Sequence, residues 1–417
     1  MLYNSPYSRY GIGQINSSAN TYQLGQGGLS YTTNKFNQVN IANPASYPYI
    51  RKHTPIFDLA INGDFSEIKS SDSVQYYRNG SVANFTLGLP TSKRSGLVFS
   101  YQPYANMGYN IVDSLITQDN EEFSDTYVGN GGLNKLTAGF GYLIYRSDST
   151  NLNVSIGLNG SYVFGNYYHQ RMSDFPSGST YNSLLVKDST SLKDFILESG
   201  IMAEYRPGKN WTATLGVTYA FSKNLKSKNE FLAYTYYGNS SAIIDTLKYT
   251  PSTSGSIYVP STLGVALELN YKHKIGLGLQ YTTKQWSTFS TSFAHQSNVV
   301  FEDITELNAG LWYKPSGAKG NSNGGPLKNS TFKTGFRQSN LGLSINGTSI
   351  NEIALSAGIH LPLVNSGSFS SVNFGTEFGK RGSIENGLVQ EQFVRLRLGL
   401  SITPNINDRW FIKRKYD

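Results

Sequence analysis

The chain has 417 residues, a formal net charge of +8, only 38% hydrophobic residues and a mean hydropathy of −0.34. It has no cysteine, which excludes disulfides, thiolate metal sites and cysteine nucleophiles. There is no run of about 18 apolar residues, so no transmembrane helix is expected. Lys and Arg are scattered rather than gathered in a stripe interleaved with aromatics, which excludes a nucleic-acid surface. Abundant aromatic residues and glycine with modest hydropathy suit a barrel that has one face in lipid and one in water.

Residues 1–54 have no sustained period of 2 or 3.6. They are rich in Gly, Asn, Ser and Tyr, and Pro6, Pro44 and Pro48 punctuate them. They are too aromatic for a free linker and are expected to form an irregular plug packed inside something larger. Met1-Leu2 lacks the charged start and apolar core of a signal peptide, so export implies a leader outside this sequence. The Gly25, Gly27 and Gly28 group follows no strand and has no Lys-Ser/Thr in register, so it reads as tight turns rather than a phosphate loop.

Residues 55–417 alternate strand and turn. The candidate strands are 56–70, 75–89, 95–112, 134–146, 151–172, 191–207, 211–235, 258–272, 274–290, 299–314, 332–346, 350–363, 370–382 and 391–412. Several exceed the length usual in soluble sheets. In "STLGVALELNYK", Leu263, Val265, Leu267, Leu269 and Tyr271 alternate with Gly264, Ala266, Glu268, Asn270 and Lys272. "NEIALSAGIHLPL" alternates in the same way, with Glu352 and His360 in the polar phase. Short links at 91–95, 147–150, 207–210 and 272–274 take turns with long ones near 113–133, 173–190 and 236–257. That is the rhythm of short periplasmic turns and long outer loops; the long link 315–330 breaks it. The expected fold is an all-β, transmembrane antiparallel barrel of about fourteen strands with an irregular N-terminal plug. An even strand count puts both termini on the periplasmic side of the bacterial outer membrane. Trp410 and Phe411 then suit the interfacial aromatic girdle, with Lys413, Arg414 and Lys415 beyond it in water.

In "FVRLRLGLSI", Val394, Leu396, Leu398, Leu400 and Ile402 share one face, with Arg395 and Arg397 on the other. In a membrane barrel the leucines meet lipid and the arginines line the lumen. Glu377, Glu352 and Glu268 fall in the same inward phase. Arginine forks pair well with carboxylates, so a lumenal cluster of Glu268, Glu352, Glu377, Arg395 and Arg397 is expected to anchor the plug. Arg9, flanked by Tyr7 and Tyr10, is a further candidate cation with stacking faces. In Asn43-Pro44-Ala45 the proline fixes a bend and the alanine permits close approach; a gating or ligand-contact role is the alternative. The five histidines, His53, His169, His273, His295 and His360, show no metal-ligand spacing. No nucleophile–base constellation is legible, so the chain reads as a non-enzyme with no cofactor.

The segment "GQGGLSYTTNKFNQVNIANPASY" resembles the hatch of the FadL-like long-chain fatty-acid transporter family of outer-membrane barrels. "NSPYSRYGIG", "GTSINEIALSAGIHLPL", "NFGTEFGKRGSIENGLVQEQFVRLRLGLSI" and "DRWFIKRKYD" look like its Bacteroidota branch. The resemblance implies a fourteen-stranded barrel plugged by its N-terminal segment. It also implies capture of hydrophobic molecules outside and their release through the barrel wall, with Tyr7, Tyr10, Asn43, Pro44 and Ala45 as candidate contacts. In Bacteroidota this fold also serves in barrel subunits of secretion or barrel-assembly machines. Two functions therefore stand side by side: passive uptake of a hydrophobic small molecule, and a non-conducting accessory barrel. The expected partners are outer-membrane lipid, with either a hydrophobic small molecule or other outer-membrane or periplasmic proteins. The polar links 113–132 and 173–190 favour the second, whereas family inheritance favours the first, which is the leading expectation; 231–244 is the most apolar loop.

Overall fold

Alternating large apolar and small or polar residues fold here into one antiparallel sheet closed on itself. The computed structural model describes residues 5–71, 73–237, 242–293, 299–317, 326–363 and 368–405. Fourteen strands make the wall: β1 (Ile56–Lys69), β2 (Val74–Pro90), β3 (Ser95–Ile116), β4 (Glu122–Ser147), β5 (Leu152–Asp174) and β6 (Ser183–Tyr205) come first. β7 runs Trp211–Ala220 and continues as Lys223–Tyr236, and β8 runs Ile243–Val259 and continues as Thr262–Tyr271. β9 (Ile275–Lys284), β10 (Ile304–Tyr313), β11 (Thr331–Ile345), β12 (Thr348–Pro362), β13 (Ser371–Gly382) and β14 (Gln390–Ile402) complete it. Each strand pairs with its neighbour in sequence, and β14 pairs with β1 from Gln390↔Lys69 to Ile402↔Phe57, which closes the cylinder.

The sidedness is that of a membrane barrel. Leu59, Phe140, Leu197, Leu267, Leu355 and Phe374 stand exposed on the outside. Glu268, Asn270, Ser356 and Glu377, one residue out of phase with such positions, are buried in the lumen. No helix among the described residues is long and apolar enough to cross a membrane.

The links differ from expectation on one rim. The segments 113–133 and 173–190 are mostly strand, with turns confined to 117–121 and 175–182, and the described residues 243–257 of the third link are strand as well. In these hairpins polar residues such as Asp113, Ser114, Asp125 and Thr126 stand on both faces, so the alternation that marks a strand disappears. β9 stops at Lys284 rather than running on to 290, and a 3-10 turn, Trp286–Thr288, follows it. β14 ends at Ile402, and the expected girdle residues Trp410 and Phe411, with Lys413, Arg414 and Lys415, lie outside the described residues.

The N-terminal segment is irregular and packs inside the barrel. A 3-10 turn, Pro6–Arg9, leads to a two-residue strand, Gln14–Ile15, that pairs with Asn106 and Ala105 of β3. Asn20 and Gln23 then form a reciprocal capping box on the helical turn Thr21–Leu24. Further on, Asn43 caps the 3-10 helix Pro44–Tyr49. Toward the long-hairpin rim the lumen is a dry core, with Ile12 packed among Met107, Leu133, Val163, Leu192, Leu225 and Ile257.

One seam in the wall is incomplete. β2 and β3 pair only from Phe85↔Tyr101 to Pro90↔Gly96. Above that, β2 remains paired with β1, whereas β3 turns to the plug strand. Register shifts at Ala83 and at Tyr104, next to Pro103, spread the two strands apart.

Candidate functional site

A belt of glycine holds the plug. Strand after strand turns a bare backbone toward it at one level. The missing Cβ of Gly96 would lie 2.3 Å from the Tyr47 carbonyl oxygen, and that of Gly157 would lie 2.3 Å from the Pro44 carbonyl carbon. Gly200 faces the Asn43 side chain at 2.1 Å, and Gly216 faces the Tyr31 carbonyl oxygen at 2.1 Å. Gly264 and Gly278 take the Tyr31 ring and the Leu29 side chain at 2.2 and 2.3 Å. Gly310, Gly335 and Gly358 receive Gln26, Gly27 and Gly25 at 2.6, 2.1 and 2.7 Å, while Gly399 faces the Thr21 hydroxyl at 2.6 Å. On β1 the buried Ala60 stands opposite Gly399. At each of these glycines a Cβ would overlap the plug, so residues 21–48 fit only against this wall.

Charges add a second anchorage. Arg337 pairs with Glu352 at 2.5 Å and also with Glu377. The Arg381 side chain has no exposed surface; its Nε donates to Glu352 Oε2 at 2.6 Å, and its Nη1 approaches Glu391 at 3.3 Å. Arg395 reaches Glu377 at 3.3 Å and Asp64 at 3.5 Å. Arg337, Arg381 and Arg395 thus alternate with Glu352, Glu377, Glu391 and Asp64 in a chain of charges, with Arg397 beside it. Glu352 and Glu377 each accept from two guanidinium groups. Such geometry offsets the desolvation that would otherwise make buried charges costly. Three links run into the plug. Arg397 donates to the Ala19 carbonyl at 2.7 Å and to Asn62 at 2.6 Å. Ser5 donates to Glu391 at 2.8 Å, and Arg381 donates to Gln14 Oε1 at 3.0 Å.

Of the sequence-derived residues, Glu352, Glu377 and Arg395 come together, with Arg397 beside them. Glu268 stands apart on β8. It accepts from the plug hydroxyl of Thr32 at 3.1 Å and from the Trp312 indole at 3.1 Å. Arg9 lies over the Tyr127 ring at 4.9 Å. Tyr7 donates to the Val389 carbonyl and packs on Leu343, Ile345, Ile350 and Leu388, with Tyr10 against the same cluster. Burial pushes the Tyr7 phenol up to about 12. Asn43 Oδ1 accepts from Ala45 N–H at 3.0 Å and its Nδ2 donates to the Tyr31 carbonyl at 2.8 Å. The Ala45 carbonyl accepts from Ser155 at 2.7 Å. Arg337, Arg381, Glu391 and Asp64 were not among the expected residues. Their signal was parity: Arg381 is four residues past Glu377 and Glu391 four before Arg395, each on the inward phase.

Between plug and wall remains a cavity of about 350 Å³ that reaches the β2–β3 seam, lined there by Ser81, Ala83, Asn84, Gln102, Pro103 and Tyr104. Lys135, Glu198, Arg395 and Arg397 also line it. Elsewhere its lining mixes amide, hydroxyl and charged groups with apolar side chains such as Ile15, Leu24, Val259, Trp286, Phe301 and Leu343.

The sequence matches a family model described as BamG over residues 3–417. No curated protein matches it. Solved structures of similar fold include a Pseudomonas aeruginosa FadL homologue, at 13% identity and TM-score 0.59, covering 94% of this chain and 100% of that one. The Pseudomonas putida toluene transporter TodX is similar at 14% identity and TM-score 0.54, covering 94% and 99%. The Ralstonia pickettii toluene transporter TbuX is similar at 11% and 0.56, covering 93% and 99%.

Proposed function

The chain belongs to the BamG family, and we propose that this outer-membrane barrel is a plug-sealed, non-conducting subunit of a protein secretion or barrel-assembly complex. The glycine belt carries this reading. To leave the lumen the plug must break its fit to nearly every strand at once, together with the links to Arg397, Glu391 and Glu268. The lumen beyond is filled by an apolar core. A barrel closed in this way acts through its wall and its projecting hairpins. Both chain ends of the wall, Phe57 and Ile402, pair at the short-turn rim, and we place that rim in the periplasm.

Purification in mild detergent followed by native mass spectrometry tests the reading. Stoichiometric protein partners and a silent planar bilayer are expected. A monomer carrying lipid-like density, with steady conductance, overturns it. One observation favours the second reading, passive uptake of a hydrophobic small molecule. The lumenal cavity meets the wall at the open β2–β3 seam, where a ligand has a sideways way out. Under that reading Asn43, Pro44, Ala45, Tyr7 and Tyr10 include the gate, and the monomer with bound lipid is the expected species.

A further inference from the structure

The open seam presents a strand edge with nothing paired to it. In an antiparallel sheet successive residues point their N–H and C=O groups to opposite sides. From Val74 to Asn84 one side of β2 is paired with β1, and among the described residues no strand pairs with the other. Part of this edge lies at hydrocarbon depth. Val82 sits opposite Ile61, and Arg78 opposite Phe65, and Ile61, Phe65, Val82 and Phe85 are all exposed on the outer face. Arg78 and Tyr76, also exposed, mark where the apolar band ends. Lipid supplies no hydrogen bonds, so a bare edge at that depth costs several kcal/mol per unsatisfied group.

The chain's own β3 does not close the gap, because the plug has taken its place. Gln14 and Ile15 pair with Asn106 and Ala105, Asn16 N–H donates to the Tyr104 carbonyl at 2.9 Å, and Ser5 N–H donates to the Gly108 carbonyl at 3.0 Å. Pro103, facing the seam, has no N–H to offer. On the outer face a groove of about 560 Å³ runs from β2 back across β1 to β14 and β13, lined by Phe65, Tyr76, Arg78, Phe378 and Val394. Aromatic side chains and arginine are the types that anchor protein interfaces.

We propose that the β2 edge from Val74 to Asn84 is a docking site for one extended strand of another outer-membrane protein. That strand completes the seam by main-chain pairing and sets its outward side chains beside the exposed Tyr76, Arg78 and Val82 of β2. This rests on the subunit reading above and names the surface that reading requires.

The chain lacks cysteine and carries its test positions on the outside. A photo-reactive residue is placed at Val82, with lipid-facing Leu267 and Leu355 as controls, in cells making the full chain. A discrete adduct with a protein of different mass is expected at 82 and at neither control. Of Asn79→Pro and Gly80→Pro, one removes an N–H bonded to β1 and the other an N–H facing the gap. In the variant that keeps its folded mobility in an unheated gel, recovery of the partner falls tenfold or more. Lipid-only adducts, with partner recovery unchanged in that variant, overturn the docking edge while the subunit reading stands. An adduct to a second copy of this chain overturns the choice of partner. If no protein co-purifies and none is captured, both readings fall.

Discussion

The glycine belt makes a prediction whose sign is unusual. Alanine normally stabilises a strand relative to glycine by roughly 0.5–1 kcal/mol, because glycine surrenders more backbone freedom on folding. At Gly335 the added Cβ would stand 2.1 Å from the Gly27 nitrogen and 2.2 Å from the Gln26 carbonyl carbon. Ordinary contact begins near 3.4 Å, so the plug backbone must retreat by about 1.3 Å. The atoms met are main chain on both sides, with no flexible side-chain end to yield. Overpacking of this kind costs about 1–3 kcal/mol. Gly335→Ala is therefore expected to destabilise the folded barrel by about 1–2 kcal/mol, and Gly96→Ala, against the Tyr47 carbonyl, by a similar amount. The readouts are the temperature at which folded electrophoretic mobility is lost and the rate of tryptic cleavage at Arg9, Lys35 and Arg51. Gly63→Ala and Gly160→Ala serve as controls, since their nearest atoms lie at 3.7 and 3.9 Å. They are expected to be neutral or slightly stabilising. If Gly335→Ala and Gly96→Ala behave like these controls, the plug is not wedged against the wall as described.

Arg381→Met leaves Glu391 buried without its guanidinium and Glu352 with one of two; a loss of about 3–5 kcal/mol is expected by thermal mobility shift, partly restored by adding Glu391→Gln. Arg397→Ala is expected to speed tryptic release of the N-terminal segment severalfold more than Arg395→Ala, because Arg397 bonds the plug carbonyl of Ala19; equal rates would remove Arg397 as an anchor. A fluorophore on Leu267→Cys is expected to be quenched by lipid-borne quenchers, and one on the exposed turn residue Ser149→Cys is not. Protection of Leu267 from lipid would place grease inside the cylinder and refute the barrel's sidedness.

Much of the wall was legible in the sequence because lipid and lumen impose opposite demands on adjacent residues. Leu355 and Ser356, or Leu396 and Arg397, differ by one position and by the medium they meet. The same parity brings Glu352, Glu377 and Arg395 together, and it extends to Arg381, Glu391 and Arg337. Where the medium is the same on both faces, parity carries no information. The stretch 113–133 is strand in water, and its polar run reads as a loop. Arg9 was assigned by its flanking tyrosines, yet its stacking partner, Tyr127, comes from that stretch.

The glycines were legible only as weak strand residues. Gly278, Gly310 and Gly335 are far apart in sequence, but Gly278 pairs with Gly310 and Gly310 with Gly335. Their shared level appears once the register is known, and their purpose once the plug backbone is seen across from them. This separates the two anchors by what they resist. A cation and a carboxylate exchange partners as a lumen breathes, whereas a bare backbone accommodates one shape at one place. A plug held by charge alone would be a gate. A plug that strand after strand has been hollowed to receive is fitted like part of the wall, and that fit is the ground for our proposal that such a protein works at the edge its wall leaves open.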